Sequence, residues 1–411
     1  MKFISNFRFA ILFFLNLNSG FSQNFTADFI KTVTFNTENN INPILLLGSS
    51  LKISFDDLEA DQKNYRYYLQ HCNYNWEVSN LQSTEYINGF QSFEILDLEN
   101  SFGTYQNYTH YKFEIPNRNT RIKISGNYLL TILNDNDEIC IQRRFVLYES
   151  KIVISAEVIR DRSIKKIDHH QVVNFSILHP NITINNPSKE IKVVILQNND
   201  WNLIKSDLKP QYYKKNEIIY NYNNETSFAA GNEFLNFDTK SLNGTNVNIL
   251  QNSIENHYYE TYLYPNNTRN FLPYTYYPDI NGGFVVRTLN AVDPYLAAEY
   301  TNVHFYLQPT KKLKDNASIY VYGAFNNYAF NENNRLLFNK KTNSLETELL
   351  FKQGFYNYTY VIKKEDKKVD ITTVDGSFQE TENNYTILIY YHPFGARTGK
   401  IIGATTINSK N

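Results

Sequence analysis

The sequence predicts an all-β fold of tandem β-sandwich domains that follow a cleaved signal peptide. Apolar and polar residues alternate with a period of two through most of the chain after residue 26, which is the pattern of half-buried strands. Aromatic residues make up 16% of the chain, with 33 Tyr and 29 Phe, and such side chains favour pleated sheets. The length of 411 residues allows two to four domains at roughly 100–200 residues each.

The first 22 residues are predicted to be a secretory signal peptide. Lys2 and Arg8 precede an apolar run, and the small residues Gly20 and Ser22 stand at −3 and −1 of a cleavage site before residue 23. The apolar run is shorter than the roughly 20 residues that a membrane-spanning helix needs. The residue directly after the predicted cleavage site is Gln23 and not Cys, which argues against a lipid-anchored form.

Residues 23–149 are predicted to form a first β-sandwich of the immunoglobulin-like type. ILLLGSSLKISFDDLE gives a strand, a turn near Gly48, and a second strand with Leu51, Ile53 and Phe55 on one face. Residues 125–149 read as a hairpin whose strands join across the turn-forming residues 134–137. Several short strands at this spacing are typical of such a sandwich.

Two further sandwiches are predicted in the remaining chain. Residues 150–298 carry strands separated by polar turns, and they end in a Tyr-rich excursion from 258 to 290 that fits either a long loop or an extension of the sheet. Residues 299–411 have an apolar strand ending in GAFN, a second strand, and then GFYNY, a pattern typical of E-set or glycogen-binding sandwiches.

Charge and cysteine content limit the possible functions. The formal net charge is −1 with no sustained basic run, so the sequence lacks the electrostatic signature of a nucleic-acid binder. Cys72 and Cys140 are the two cysteines. An exported protein permits a disulfide between them, and two separate buried thiols are the equal alternative.

Three clusters contain metal-ligand residue types. FDDLEADQ offers Asp56, Asp57, Glu59 and Asp61 as oxygen ligands for calcium, but it lacks the spacing and the glycine of an EF-hand loop, so a solvated turn is predicted. The pairs at 71–72 (His-Cys) and 169–170 (His-His) have no nearby third ligand for zinc, so structural or exposed histidines are predicted. We expect no metal and no cofactor.

The stretch FAAGNEFLNFDTKSL contains the carboxylates Glu233 and Asp238. A glycosidase needs two carboxyl groups that face each other across a cleft. On an extended strand these two side chains project to opposite faces. The stretch is therefore predicted to be a corner at Gly231 and Asn232 whose carboxylates accept backbone N–H groups, and no catalytic residue is predicted.

Several longer phrases together resemble one family. They run from about residue 27 to the C-terminus in order: ILLLGSSLKISFDDLEADQKNYRYYLQHCNYNWEVSNLQSTEYINGF, QNYTHYKFEIPN, SGNYLLTIL, QRRFV, AAGNEFLNFD and DGSFQETENNYTILIYYHPFG. The chain resembles the type IX secretion system plug proteins of the Bacteroidetes phylum. The resemblance implies a non-enzymatic periplasmic protein, peripherally associated with the outer membrane, that binds the periplasmic opening of the translocon β-barrel and occludes its pore at rest.

A plug needs an interface of a few aromatic anchors inside a polar rim. We expect these anchors within residues 258–277, where turns alone do not need so many aromatics; they are Tyr258, Tyr262, Tyr264, Phe271, Tyr274, Tyr276 and Tyr277. The alternative for this segment is packing between domains. The alternative function is a carbohydrate-binding β-sandwich protein of the periplasm or cell surface.

Overall fold

The structure is a computed structural model that describes residues 24–37, 43–244, 246–289, 291–308, 318–364 and 368–410. The predicted signal peptide lies outside these ranges. Strands dominate the described chain and its helices are single turns, so the all-β prediction is confirmed. No helix in the described ranges is long and apolar enough to cross a membrane.

The first sandwich consists of the elements up to residue 149. They are β1 (Phe25–Thr26), β2 (Ile30–Asn36), β3 (Ile44–Leu46), β4 (Leu51–Asp57), β5 (Arg66–Cys72), α1 (Ser83–Tyr86), β6 (Ile87–Gly89), β7 (Ser92–Glu94), β8 (Asp97–Asn100), β9 (Thr109–Ile115), β10 (Thr120–Ile122), β11 (Gly126–Leu133) and β12 (Ile139–Tyr148). One sheet has the order β1-β12-β11-β5-β7 with β3 beside β12, and the facing sheet has the order β2-β4-β9-β8.

The second sandwich begins with the elements from 153 to 229. They are β13 (Val153–Arg160), β14 (His170–Leu178), α2 (Pro187–Glu190), β15 (Ile191–Gln197), β16 (Asp200–Ser206), β17 (Tyr212–Lys214), β18 (Glu217–Tyr220) and β19 (Ser227–Ala229). One of its sheets has the order β13-β14-β18-β17, with β19 paired to β14.

The elements that follow β19 in the chain form the third sandwich. Its elements are β20 (Leu235–Asp238), β21 (Ile249–Glu255), β22 (Tyr258–Leu263), β23 (Asn266–Asn267), β24 (Phe284–Val286), α3 (Pro294–Ala297), β25 (Tyr300–Gln308), β26 (Ser318–Tyr322), a 3-10 turn (Ala324–Asn326), β27 (Leu337–Asn339), β28 (Ser344–Lys352), β29 (Gly354–Lys363) and β30 (Val369–Asp370). One sheet is β21-β22-β25-β28-β27, and the other centres on β29.

The last two strands return to the second sandwich. They are β31 (Asn384–Tyr391) and β32 (Lys400–Asn408). The second sheet of that sandwich has the order β16-β15-β31-β32, so β15 pairs with a strand from the far end of the chain. From the sequence, these strands were predicted in the third unit, and β20 to β24 were predicted in the second. In the structure, the third sandwich is inserted between β19 and β31 of the second.

Aromatic side chains fill the sandwich cores, which explains their abundance in the sequence. The rings of Phe55 and Tyr111 stack with centroids 5.1 Å apart, and Tyr65 meets both edge-on. The hydroxyl of buried Tyr65 donates to Asp57 at 2.8 Å, so its polar end is satisfied. Leu51, Ile53 and Phe55 are all buried, as the alternation predicted.

Candidate functional site

The Tyr-rich segment that was expected to hold a partner interface divides into a strand and a loop. Tyr258, at the start of β22, and Tyr264, directly after its end, are exposed. Tyr262 is half-buried: its ring stacks on His304 with centroids 4.3 Å apart, and its hydroxyl donates to Glu255 at 3.1 Å. Tyr262 therefore has a structural role within the sheet, whereas its two neighbours leave their rings in solvent.

The loop from 268 to 283 carries the other four predicted residues. Phe271, Tyr276 and Tyr277 expose 59%, 49% and 58% of their surface, and the adjacent Leu272 exposes 54%. Tyr274 differs, because its hydroxyl donates to the buried carboxylate of Glu233. Three of the four predicted aromatics in this loop are therefore exposed, and the exposed Leu272, which was not among the predicted residues, lies beside Phe271. We call Phe271, Leu272, Tyr276 and Tyr277 the aromatic loop patch.

Hydrogen bonds to neighbouring segments of the same chain hold the base of this loop. The backbone N–H of Arg269 donates to the carbonyl of Val374 at 3.0 Å, and its Nε donates to Asp375 at 2.9 Å. Its Nη1 donates to the carbonyl of Glu233 at 2.9 Å. The loop patch is therefore mounted on a fixed base, which lowers the entropy that its side chains lose on binding a partner.

The phrases AAGNEFLNFD and DGSFQETENN are the two crossings between the second and third sandwiches. The carbonyl of Gly231 accepts the N–H of Phe378 at 2.9 Å and the hydroxyl of Thr381 at 2.8 Å. Asn383 donates to the carbonyl of Ala230 at 2.9 Å. The outgoing and returning chains are therefore bonded directly to each other, which joins the two sandwiches at a double connection.

The two carboxylates of the outgoing phrase have separate partners. Glu233 is buried and accepts the N–H of Glu382 at 3.1 Å, and burial raises the pKa of its carboxyl. Asp238 accepts the N–H of Lys240 at 3.1 Å and pairs with Arg287 at 2.7 Å. The prediction that both carboxylates accept backbone N–H groups is confirmed. Each is occupied by structural hydrogen bonds, which leaves no support for a glycosidase pair.

A buried ionic cluster joins the first and third sandwiches. Lys352 Nζ lies 2.6 Å from Asp56 Oδ2, and both side chains are fully buried. His110 Nδ1 lies 2.6 Å from the other carboxylate oxygen, and the hydroxyl of Tyr300 donates to Asp56 Oδ2 at 2.6 Å. Burial alone would raise the pKa of Asp56, but Lys352 and His110 together hold it below its ordinary value.

The rest of this junction uses the lysine's other contacts. Lys352 Nζ also donates to the carbonyl of Tyr295 at 2.6 Å and lies 3.9 Å from the ring centroid of Tyr108. The hydroxyl of Tyr108 donates to the carbonyl of Ala298 at 2.9 Å. Each of these contacts either joins the first sandwich to the third or supports a residue that makes such a contact. Breaking such a buried pair by removing one partner typically costs about 3–5 kcal/mol.

The first and second sandwiches meet through aromatic packing. Trp76 and Trp201 lie edge to face with centroids 4.8 Å apart, and the guanidinium of Arg144 covers Trp76 at 4.5 Å. The hydroxyl of Tyr390 donates to Asn127 at 2.8 Å. Each sandwich therefore has a buried junction with both of the others.

The predicted solvated turn at 56–61 is wrong in its first half. Asp56 and Asp57 are fully buried at the end of β4, while Glu59 and Asp61 are exposed. Asp57, Glu59 and Asp61 lie close enough to share an ion. The ammonium of Lys63 lies among them, 2.9 Å from Asp57 and 3.0 Å from Asp61. The Lys63 ammonium therefore occupies the position where a calcium ion would have to bind, and it neutralises part of the charge of the three carboxylates.

The histidine pairs have structural surroundings. His71 is buried with Nδ1 2.9 Å from the hydroxyl of Ser79, and burial lowers its pKa to about 4. His169 Nδ1 lies 2.7 Å from the carbonyl of Ser377, at the crossing between the second and third sandwiches. Among the described residues, neither pair joins a group of three or more ligands that could hold a metal.

Comparisons with known proteins identify two relationships. Residues 30–149 match a family model described as type 9 secretion system plug protein 1st domain. The chain is similar to the crystal structure of a hypothetical protein from Parabacteroides merdae, with 32% identity, a TM-score of 0.90, and coverage of 93% of this chain and 98% of that one. No curated protein matches the chain.

Proposed function

We propose, because this chain belongs to the family of type 9 secretion system plug proteins, that it is a plug without enzymatic activity. In this proposal the protein lies in the periplasm, binds the periplasmic opening of the outer-membrane translocon barrel, and occludes the pore when no substrate passes. The observation that carries the proposal is the match of its first sandwich to the plug domain, together with full-length similarity to a relative of the same architecture.

The junctions between the sandwiches support this proposal physically. A plug must resist deformation in a pore wide enough for folded proteins. Domains that share only a small polar interface are expected to move relative to one another. Three sandwiches joined in that way would rotate against one another and would not form a rigid plug. Here Asp56 and Lys352, Trp76 and Trp201, and the paired crossings bury polar and aromatic contacts at every junction. Such junctions favour one rigid body.

We assign the aromatic loop patch as the anchor for the barrel. Its exposed rings are carried by an ordered loop, and interface hot spots favour large aromatic side chains mounted in this way. Acidic and basic groups surround the patch: Tyr276 donates to Glu382 at 3.2 Å, and Lys410 lies 5.6 Å from its ring. An aromatic centre with a polar rim fits an interface that must also release.

An affinity pulldown tests the proposal. The mature protein, starting at residue 23 and tagged at its N-terminus because the C-terminal Lys410 lies beside the patch, is added to detergent-solubilised outer membranes of its host. We expect recovery of one very large β-barrel protein in stoichiometric amount. Recovery of the tagged protein alone overturns the proposal. Retention on insoluble polysaccharide instead would support the carbohydrate-binding alternative.

A further inference from the structure

A cavity of about 660 Å³ lies where the three sandwiches meet, apart from the aromatic loop patch. The first sandwich lines it with residues of β1, β2 and β12, the third with β24, β28 and the 3-10 turn, and the second contributes Asn202. Its volume falls within the range of about 300–1,000 Å³ that is usual for ligand sites. Neither the crossings nor the Asp56 carboxylate lines it.

The wall from the first sandwich holds a buried cation. Arg143, from the phrase QRRFV, is only 9% exposed. Its guanidinium donates to the carbonyls of Phe25 and Gln142 at 2.9 and 3.0 Å and to the hydroxyl of Thr26. In the described part of the chain, no carboxylate lies within ion-pair distance of it. Its charge is thus solvated by neutral acceptors alone, an arrangement that a buried cation seldom has.

The opposite wall differs in chemistry. Phe284, Phe325, Phe351 and Tyr356 contribute aromatic surface from the third sandwich. Asn326, beside Phe325, has a buried amide oxygen with no hydrogen-bond donor among the described residues. The two walls therefore present a cation without a counter-ion, an acceptor without a donor, and apolar rings between them.

The charges near the cavity favour an anion. Lys31 and Lys363 line it in addition to Arg143, whereas Lys352 is neutralised by Asp56. The acidic lining residues are Asp28 and Glu332, and Glu332 is already paired with Arg335 at 3.2 Å. The remaining balance is positive. Burial lowers the pKa of Lys31, with the nearby Asp28 opposing this effect.

We propose that this cavity binds a short peptide segment with an acidic and an apolar side chain, whose carboxylate pairs with Arg143. A peptide supplies each missing partner: a carboxylate for the guanidinium, a backbone N–H for Asn326, and an apolar side chain for the aromatic wall. A fatty acid anion supplies the first and third but no N–H donor. The binding site combines walls from separate sandwiches, so a bound peptide also ties them together.

Selection from a random library tests the site. An mRNA-displayed library of eight-residue peptides is selected on the immobilised mature protein. The enriched peptides are expected to carry Asp or Glu next to an apolar residue and to bind Arg143→Gln about 10-fold or more weakly than the unchanged protein, because a charge-assisted hydrogen bond is lost. Lys215→Gln, which removes an exposed lysine from a turn of the second sandwich, serves as the charge-matched control.

A second variant protects the test against misfolding of Arg143→Gln. Phe325→Ala alters the opposite wall, where the side chain is only partly buried. This variant is expected to bind the same peptides more weakly. The proposal is overturned if no peptide is enriched, if enriched peptides lack acidic residues, or if they bind both variants as well as the unchanged protein. Equal or tighter binding of dodecanoate at this site would assign it to a lipid anion instead. The result does not depend on translocon binding.

Discussion

The ammonium of Lys352 lies 2.6 Å from the carboxylate of Asp56, although the two residues belong to different β-sandwiches. The pair is fully buried and is braced by His110 and Tyr300. Its strength comes from the low dielectric of the junction, and its geometry requires the first and third sandwiches to stay in one relative orientation.

Replacing Lys352 by Met should destabilise this junction strongly. The change leaves Asp56 buried without its cation, and we expect the free energy of unfolding to fall by about 3–5 kcal/mol in urea denaturation. The double variant Lys352→Met, Asp56→Leu should recover part of this loss, because no buried charge is left unpaired. The exposed Lys341→Met is the control. Equal losses in the single and double variants would contradict the assignment of a coupled pair.

Two buried carboxyls should contribute stability that is lost as the pH rises toward 7, opposite in sign to the contribution of His71, whose pKa is lowered to about 4. Burial raises the pKa of Asp200 and of Asp279 to about 7 from 3.8. Between those values the folded chain binds protons that the unfolded chain releases, so the free energy of unfolding falls with rising pH and levels off above 7. Each carboxyl contributes a slope of up to about 1.4 kcal/mol per pH unit.

Urea denaturation at a series of pH values from 5 to 8 measures this slope. The two variants are Asp200→Asn and Asp279→Asn. The carboxylate of Asp200 accepts a hydrogen bond from the hydroxyl of Tyr322 at 2.6 Å. Each change should flatten the profile. A slope that is unchanged in both variants would show that other groups control the pH dependence.

The aromatic loop patch should matter for binding and not for folding. The triple variant Phe271→Ser, Tyr276→Ser, Tyr277→Ser is expected to reduce barrel recovery in the pulldown at least several-fold, because interface aromatics carry much of the binding energy. The melting temperature should stay within about 2 °C, since the three side chains are exposed. Tyr212→Ser, Tyr213→Ser, an exposed pair on β17, is the matched control. A lowered melting temperature, or unchanged recovery, would contradict this assignment.

Both cysteines should be free thiols in the folded protein. Cys72 lies in β5 and Cys140 in β12, with β11 between them, so their backbones are about 9.5 Å apart or more, beyond disulfide reach. Burial raises the pKa of Cys72 to about 12 and that of Cys140 to about 11. Ellman's reagent should therefore react slowly with the native protein and count two thiols in denaturant. A count of zero before reduction would show a disulfide.

Local patterns in the sequence were enough to predict the fold class. The alternation at 51–55, the turn at Gly48 and the hairpin across 134–137 are properties of short stretches, and the structure contains each of them. The corner at Gly231 was predicted for the same reason, because carboxylates beside a turn commonly accept nearby backbone N–H groups. Such signals depend only on neighbours along the chain.

The junctions left no comparable signal. Asp56 was predicted to lie in a solvated acidic turn, and Lys352 was not singled out, since nothing in either stretch indicates that they meet. The membership of β31 was missed for a related reason: a strand pattern shows that a strand forms but not which sheet receives it. Long-range pairing of this kind is decided by the packing of whole sandwiches.

The insertion of the third sandwich between β19 and β31 sets an order on assembly. Strand β15 pairs with β16 early, but it cannot gain its second neighbour, β31, until the chain has been made as far as residue 391, so the second sandwich is the last to close. The same late strands carry Tyr390 and Ile401 into the contact with the first sandwich. A chain that stops after the third sandwich would therefore lack half a sheet in the middle of the molecule. Loss of β31 and β32 would expose apolar faces far from the point of truncation. Quality-control proteases would then have access to an open core and not only to a frayed end.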